Sequence, residues 1–370
     1  MDSVLIFLHK YPFLVSIVSF TIGLLFMPVV VDIAKKYNFV VSPNKRTSHQ
    51  GEVPNVGGIN IFISFFATVF LFSFNLLTEL QFTLMGLFII LIVGFIDDLI
   101  NIRVFWKLLG ELIAGFFLIV ISNIRLTSLH GFLGIYELPL AWSYLLSMFV
   151  FIVVVNAMNL IDGIDGLASG LGILYSLFFG LYFFLSGYKN LALINFAMIG
   201  SLVVFFAYNV FSNKRKIFMG DSGSLLLGYM FNVFIFSFCE MNAKGTVPEN
   251  FQMTAAPAVA FTVLIIPLFD TLRVMVTRIK KGYSPFTADK NHVHHLLLAL
   301  GLKHREVTFI LMGISIVFII LAILIRNLSN GFVAIIILTI CTLLTKLLWT
   351  LVDKKNASKN LSQEKTFTNQ

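Results

Sequence analysis

Five short stretches of the chain carry side chains able to bind cations or phosphates. The first is Gly94-Phe-Ile-Asp97-Asp98-Leu-Ile-Asn101. Adjacent carboxylates repel unless a cation or protons intervene, and a divalent metal that prefers hard oxygen ligands can supply the charge. A solvated helix end, or a pair neutralised by Arg103 and Lys107, explains the same residues without function. The second stretch is the most specific: Asn156-Ala-Met-Asn159-Leu-Ile-Asp162-Gly-Ile-Asp165-Gly166. Its amides, three residues apart, share a helix face. Its Asp-Gly pairs read as a tight turn in which glycine lets backbone approach a ligand.

The third stretch runs from Asn209 through Lys214-Arg215-Lys216-Ile-Phe218-Met-Gly220-Asp221-Ser-Gly223-Ser224. It is a basic loop leading to an acid at a helix start, a place that suits an anion, an N-cap or a metal ligand. The fourth is Asp289-Lys290-Asn291-His292-Val-His294-His295. Imidazoles beside a lysine suit phosphate or sugar oxygens better than zinc, because no Cys is near and Asp289 alone would complete the ligand set. The fifth, Pro43 to Gly58 with Lys45 and Arg46, is a basic loop ending in a glycine pair.

These clusters must be positioned by apolar helices. The chain has 370 residues, 58% of them hydrophobic and 12% charged, with a mean hydropathy of +0.93. A soluble fold carries about 25% charged residues, so soluble and disordered classes are excluded. Two cysteines, Cys239 and Cys341, both within apolar runs, exclude a disulfide scaffold. The expected fold is all-α, a polytopic membrane bundle of eleven helices near 11–31, 57–77, 81–100, 105–122, 140–160, 166–186, 190–208, 222–239, 255–277, 307–325 and 331–351. Residues 1–352 read as one transmembrane domain, and 353–370 as a polar, mobile tail. The outer connection 123–139 suits a small hairpin. Of the 26 Lys and Arg residues, 21 fall on one set of loops and helix ends, which puts the N-terminus outside and the C-terminus in the cytoplasm. The net charge of +8 is then an orientation signal and calls for no nucleic acid. The acid clusters fall on the cytoplasmic side, where acids with bound Mg²⁺ suit phosphoryl transfer from a nucleotide-linked donor to a membrane lipid.

From the loop at Lys45 to the histidines at 292–295, these motifs resemble those of the polyprenyl-phosphate N-acetylhexosamine-1-phosphate transferase family (glycosyltransferase family 4). The resemblance implies ten or eleven transmembrane helices in a bacterial inner membrane and a cytoplasmic site using Mg²⁺, with Mn²⁺ as substitute. It also implies transfer of a sugar 1-phosphate from a UDP-N-acetylhexosamine to undecaprenyl phosphate with release of UMP, and it allows a homodimer. By the same resemblance, Asp97 and Asp98 are the catalytic pair that orients or deprotonates the lipid phosphate. Asn159 and Asp221 hold the metal. Asp162, Asp165, Asn209, Phe218 and Lys45 bind the nucleotide, with Asn209 and Phe218 at uracil. Lys290, His292, His294 and His295 meet diphosphate and sugar.

Three consecutive histidines typify the peptidoglycan branch, which transfers phospho-MurNAc-pentapeptide. Here Val293 interrupts them, as in the branch that starts O-antigen, common antigen or teichoic acid synthesis. GlcNAc is the expected sugar there, with GalNAc, FucNAc and other epimers as alternatives. A UbiA-like prenyltransferase would carry different motifs. A secondary transporter would carry its acids near mid-membrane within repeats.

Overall fold

The structure, a computed structural model, describes residues 10–41, 53–72, 80–212, 214–280, 282 and 292–367. Lys45 and Lys290 lie outside them, as do Arg46 and Asp289. The described residues are mostly helical, with two short antiparallel ribbons. In order, the helices are α1 (Phe13–Lys36), α2 (Gly57–Phe72), α3 (Gln81–Ile100), α4 (Val104–Ile121, ending in a π turn), α5 (Leu140–Ile161), α6 (Leu167–Leu185) and α7 (Lys189–Phe211). There follow α8 (Gly220–Ala243), α9 (Ala256–Val263), α10 (Ile265–Lys280), α11 (Val293–Ala299), α12 (His304–Leu324) and α13 (Asn330–Phe367).

Each of the eleven expected runs falls on helix over its described residues, but not each is a full crossing. Among the described residues nine helices are long and apolar enough to cross a membrane, or ten if the bent pair α9–α10 is counted as one. The described part of α2 is 16 residues, shorter than a span. The run at 255–277 is broken: α9 and α10 meet at 86° across Leu264. Pro267 explains the break. It has no N–H to give to the carbonyl of Val263, and its ring crowds that same carbonyl. At the other end of the chain, α13 runs through the boundary expected at 352 and continues to Phe367.

The core is α8. It is apolar on every side and buried nearly all round, packed against α2, α3 and α5, as a helix without a polar face should be. Lipid gives no hydrophobic drive between helices, so close packing and polar links hold them. Asn232 donates to the carbonyl of Phe151, and the Tyr229 hydroxyl to that of Thr83. Glycine allows the closest approach. A Cβ on Gly94 would lie 2.6 Å from Ser222 Cα and N, so α3 touches the backbone at the start of α8.

One turn beyond Gly94 on α3 come the paired aspartates. Helix ends from α3, α5 and α8 therefore gather at one end of the bundle. A ribbon completes that end: β1 (Val40–Val41) pairs with β2 (Val53–Pro54), and Phe218 N–H donates to Pro54 O at 2.8 Å. At the opposite end the expected hairpin is present as β3 (Ser128–Phe132) and β4 (Ile135–Glu137). It is held by Thr127, whose N–H and hydroxyl both donate to the Glu240 carboxylate. Cys239 and Cys341 are buried free thiols.

If α3 reaches α8 through Gly94, a methyl there overpacks the contact, at a cost of about 1–3 kcal/mol. Gly94→Ala should lower the thermal unfolding midpoint in detergent. Gly313→Ala, on α12 where nothing lies within 4 Å, should leave it unchanged or raise it, since Ala is the better helix former.

Candidate active site

The site forms where α3 ends, α4 begins, α5 ends and α8 begins. Asp98 is turned toward α8. Its Oδ1 accepts from Asp221 N–H (2.7 Å) and from Asn55 Nδ2 (2.9 Å), and its Oδ2 accepts from Ser222 N–H (3.0 Å). It thus caps α8 from another helix, satisfying N–H groups that have no partner within their own helix and complementing the dipole. Gly220, with φ +74°, makes this possible: a Cβ there would lie 2.6 Å from Asp98 Oδ2.

Asp97 points elsewhere. Its Oδ1 accepts from Ile102 N–H at 2.9 Å, and its Oδ2 lies 3.0 Å from Lys107 Nζ. The same ammonium donates to Asp221 Oδ2 at 2.8 Å and stands 3.5 Å from Asn159 Oδ1. Asn159 Nδ2 in turn donates to Asp221 Oδ1 and, at 2.9 Å, to Ser224 Oγ. Two carboxylates and an amide oxygen, from three helices, therefore converge on one cation.

Asp162 and Asp165 form the turn between α5 and α6. No described side chain bonds the Asp162 carboxyl. Burial, and then the negative charges of Asp221, Asp98 and Asp165, hold it well above the usual carboxylate range. Asp165 pairs with Lys216 at 2.7 Å and lies 3.6 Å from His304 Nδ1. Lys216 also stands over the Phe218 ring, 5.8 Å from its centroid. Phe218 is half-buried, with its backbone tied to Pro54 and Gly57.

Two of the expected ligand residues also brace the site. Asn209 is buried, with both ends of its amide engaged: Oδ1 accepts from Gly166 N–H, and Nδ2 donates to Ile217 O at 2.7 Å. It ties the Asp-Gly turn to the basic loop. His294 is 2% exposed and packs on that turn, its Nε2 lying 3.3 Å from where a Cβ on Gly163 would be. Burial first, then the neighbouring His295, pushes its pKa down to about 3, so it is neutral near pH 7. His292 and His295 remain beside it, with ring centroids 6.4 Å apart.

The fold brings further residues to the same place. Lys107 was expected only as a neutralising partner; its place on the helix after Asp97 was the available signal. Asn55 lay unremarked within the fifth stretch. Glu111, buried in α4, accepts from Asn156 Nδ2 at 2.7 Å. A carboxylate inside an apolar run was the cue, because such acids are costly and rarely idle.

The donor chemistry suits a divalent cation. Mg²⁺ is commonly held by one or two carboxylates plus substrate phosphate, keeping several waters. Asp97, Asp221 and Asn159 already direct oxygens at one positive charge, that of Lys107. Among the described residues no group of three His, Cys, Asp or Glu side chains could hold a metal, so a metal here would rely on the amide of Asn159 and on the substrate.

Comparison with known proteins bears on the same residues. Residues 80–238 match the description of glycosyl transferase family 4. An undecaprenyl-phosphate alpha-N-acetylglucosaminyl 1-phosphate transferase of Escherichia coli O157:H7 is 32% identical over 82% of this chain and 80% of its own length. The protein of the same name from Yersinia pestis is 31% identical over 80% of the chain and 79% of its own length. A probable undecaprenyl-phosphate N-acetylglucosaminyl 1-phosphate transferase of Bacillus subtilis is 33% identical over 84% of each.

Two outcomes are expected from this geometry. Lys107→Met leaves Asp97 and Asp221 facing each other uncompensated, a loss of about 3–5 kcal/mol. In EDTA its unfolding midpoint should fall below that of the parent, and MgCl₂ should raise it by more than it raises the parent's. Equal shifts would show that these oxygens do not take up the metal. His294 stays neutral in the fold while an unfolded histidine titrates near about 6.5. The unfolded chain therefore binds a proton that the folded one does not. Stability is full above that pH and declines as pH falls toward the folded value. Between pH 7 and pH 5 the midpoint should drop further for the parent than for His294→Gln.

Proposed function

The chain belongs to glycosyl transferase family 4, and on that premise we propose that it transfers GlcNAc-1-phosphate from UDP-GlcNAc to undecaprenyl phosphate, releasing UMP. The observation that carries this reading is the convergence of Asp97, Asp221 and Asn159 on one cation beside the start of α8, at a single end of an apolar bundle. A diphosphate could not approach these carboxylates without added positive charge. The histidine pattern, with Val293 interrupting, favours GlcNAc over phospho-MurNAc-pentapeptide.

The reaction makes one phosphorus–oxygen bond and breaks another. A phosphate oxygen of the lipid attacks the phosphorus that carries the sugar, and the bridging oxygen leaves with UMP. No base is required, because a phosphate monoester is largely ionised at about pH 7. The residues of the chain supply position and charge. Phe218 offers a ring face beside Lys216 and Asp165, suited to a uracil base. Lys107 supplies a fixed positive charge. His292 and His295 lie within reach of the sugar–phosphate end through the contact of α11 with the Asp-Gly turn. Mg²⁺, or Mn²⁺ in its place, would be held by Asp221 and Asn159 with Asp97 nearby, and would neutralise the diphosphate. Asp98 acts indirectly, by fixing the start of α8 and with it Asp221. The preponderance of Lys and Arg at this end supports a cytoplasmic orientation in a bacterial inner membrane, on the side where UDP-sugars are available.

Purified protein should release UMP from UDP-GlcNAc only when undecaprenyl phosphate and a divalent cation are both supplied. UDP-GalNAc and other donors run in parallel fix the sugar. Absence of UMP with every UDP-sugar would reject the transferase reading. Asp221→Asn should abolish turnover while eluting as folded protein; full activity in that variant would remove Asp221 from the metal site.

A further inference from the structure

Asp270 lies in α10 just past the break, belongs to none of the acid motifs above and is 2% exposed. It has three close partners. Arg273 Nη2 donates to it at 2.9 Å from one turn further along the same helix. His292 Nδ1 lies 3.0 Å from its Oδ2, and Val293 N–H donates to its Oδ1 at 3.0 Å. The last two contacts span 22 and 23 residues and fix the entry to α11.

An ionised carboxylate only accepts, so the His292 hydrogen in this contact is on Nδ1. The ring is thereby turned so that Nε2 has no partner among the described residues. The His292 ring lies parallel to that of His294, with centroids 5.5 Å apart and planes within 6°. His294 abuts Gly163, next to the Asp162 carboxyl that no described side chain bonds. Asp270, His292, His294 and the Asp-Gly turn thus form one contiguous row. An ion pair with Arg273 alone would have satisfied a buried acid; Asp270 also fixes a ring and the backbone beside it.

We propose that Asp270 is a positioning residue: it pins the His292 imidazole with Nδ1 inward, so that Nε2 is the nitrogen presented to the sugar–phosphate end of the donor. The proposal rests on the reading that this protein is a UDP-sugar transferase. Carboxylates that orient histidines through the far ring nitrogen commonly contribute about 10- to 100-fold.

The test is steady-state kinetics of the full-length protein in detergent, with UDP-GlcNAc and undecaprenyl phosphate varied separately. The variants are Asp270→Ala, Asp270→Asn, His292→Gln and the Asp270→Asn/His292→Gln pair. Asp270→Ala should lower kcat/KM for UDP-GlcNAc by about 10- to 100-fold and leave the KM for the lipid unchanged. Asp270→Asn should lose less, because its amide oxygen still accepts from Nδ1. The pair should be no worse than His292→Gln alone. Losses that multiply in the pair, or that fall on the lipid KM, would overturn the proposal while the transferase reading stands on the parent's activity. A parent that releases no UMP would overturn both. If Asp270→Ala does not fold, Asp270→Asn and the pair decide the matter by the same comparison.

Discussion

Everything at the working end of this molecule depends on how negative charge is tolerated there. Asp97, Asp98, Asp162 and Asp221 crowd the ends of three helices, and Lys107 is the ammonium among them. Near a low-dielectric interior, like charges at such spacing repel by several kcal/mol even at an effective dielectric constant of about 20. The fold meets this in three ways. It spends Asp98 on the free N–H groups of α8, places Lys107 between Asp97 and Asp221, and pairs Asp165 with Lys216. Asp162 has none of these. What remains is an excess of negative charge that a divalent cation and its phosphate ligand would relieve together.

The geometry that permits this comes from small residues as much as from charged ones. Gly94 brings α3 against the backbone of α8, and Gly220 leaves room for a carboxylate where a side chain would collide with it. In lipid such contacts also supply the packing that water would drive in a soluble protein. The same glycines therefore serve stability and site construction. That coupling explains why the most buried helix of the bundle, α8, begins at the site and runs away from it.

Much of this was legible in the sequence. The apolar runs gave the helices, because twenty or so apolar residues have few other uses. The paired acids, the Asn-x-x-Asn-x-x-Asp turn and the Gly-Asp segment were conspicuous because polar groups between apolar helices are expensive. What could not be read was direction. Adjacent aspartates look equivalent in a string, yet Asp97 faces Lys107 and Asp98 faces α8. Asn209 has the composition of a ligand, and its amide also bridges backbone from two loops. Three clustered histidines look alike in a string, yet His294 is buried against the Asp-Gly turn while His292 is tied to Asp270. Lys107 was visible only as a charge near charges; its bridging position depends on how α4 lies across α3 and α8. The bend between α9 and α10 was legible in principle, since Pro267 removes the bond to Val263, but an uninterrupted apolar run outweighed it.

That bend has a consequence for the site as a whole. Broken at 86°, α10 meets the entry to α11, where Asp270 takes both a backbone N–H and an imidazole. The cost of burying the carboxylate is offset by three hydrogen bonds, two of them from the entry to α11. The histidines are then anchored from two sides, by Asp270 on one and by the Asp-Gly turn through His294 on the other. A proline-induced break, ordinarily a loss of helix stability, is here the means by which a distant stretch of chain is fastened to the acid cluster.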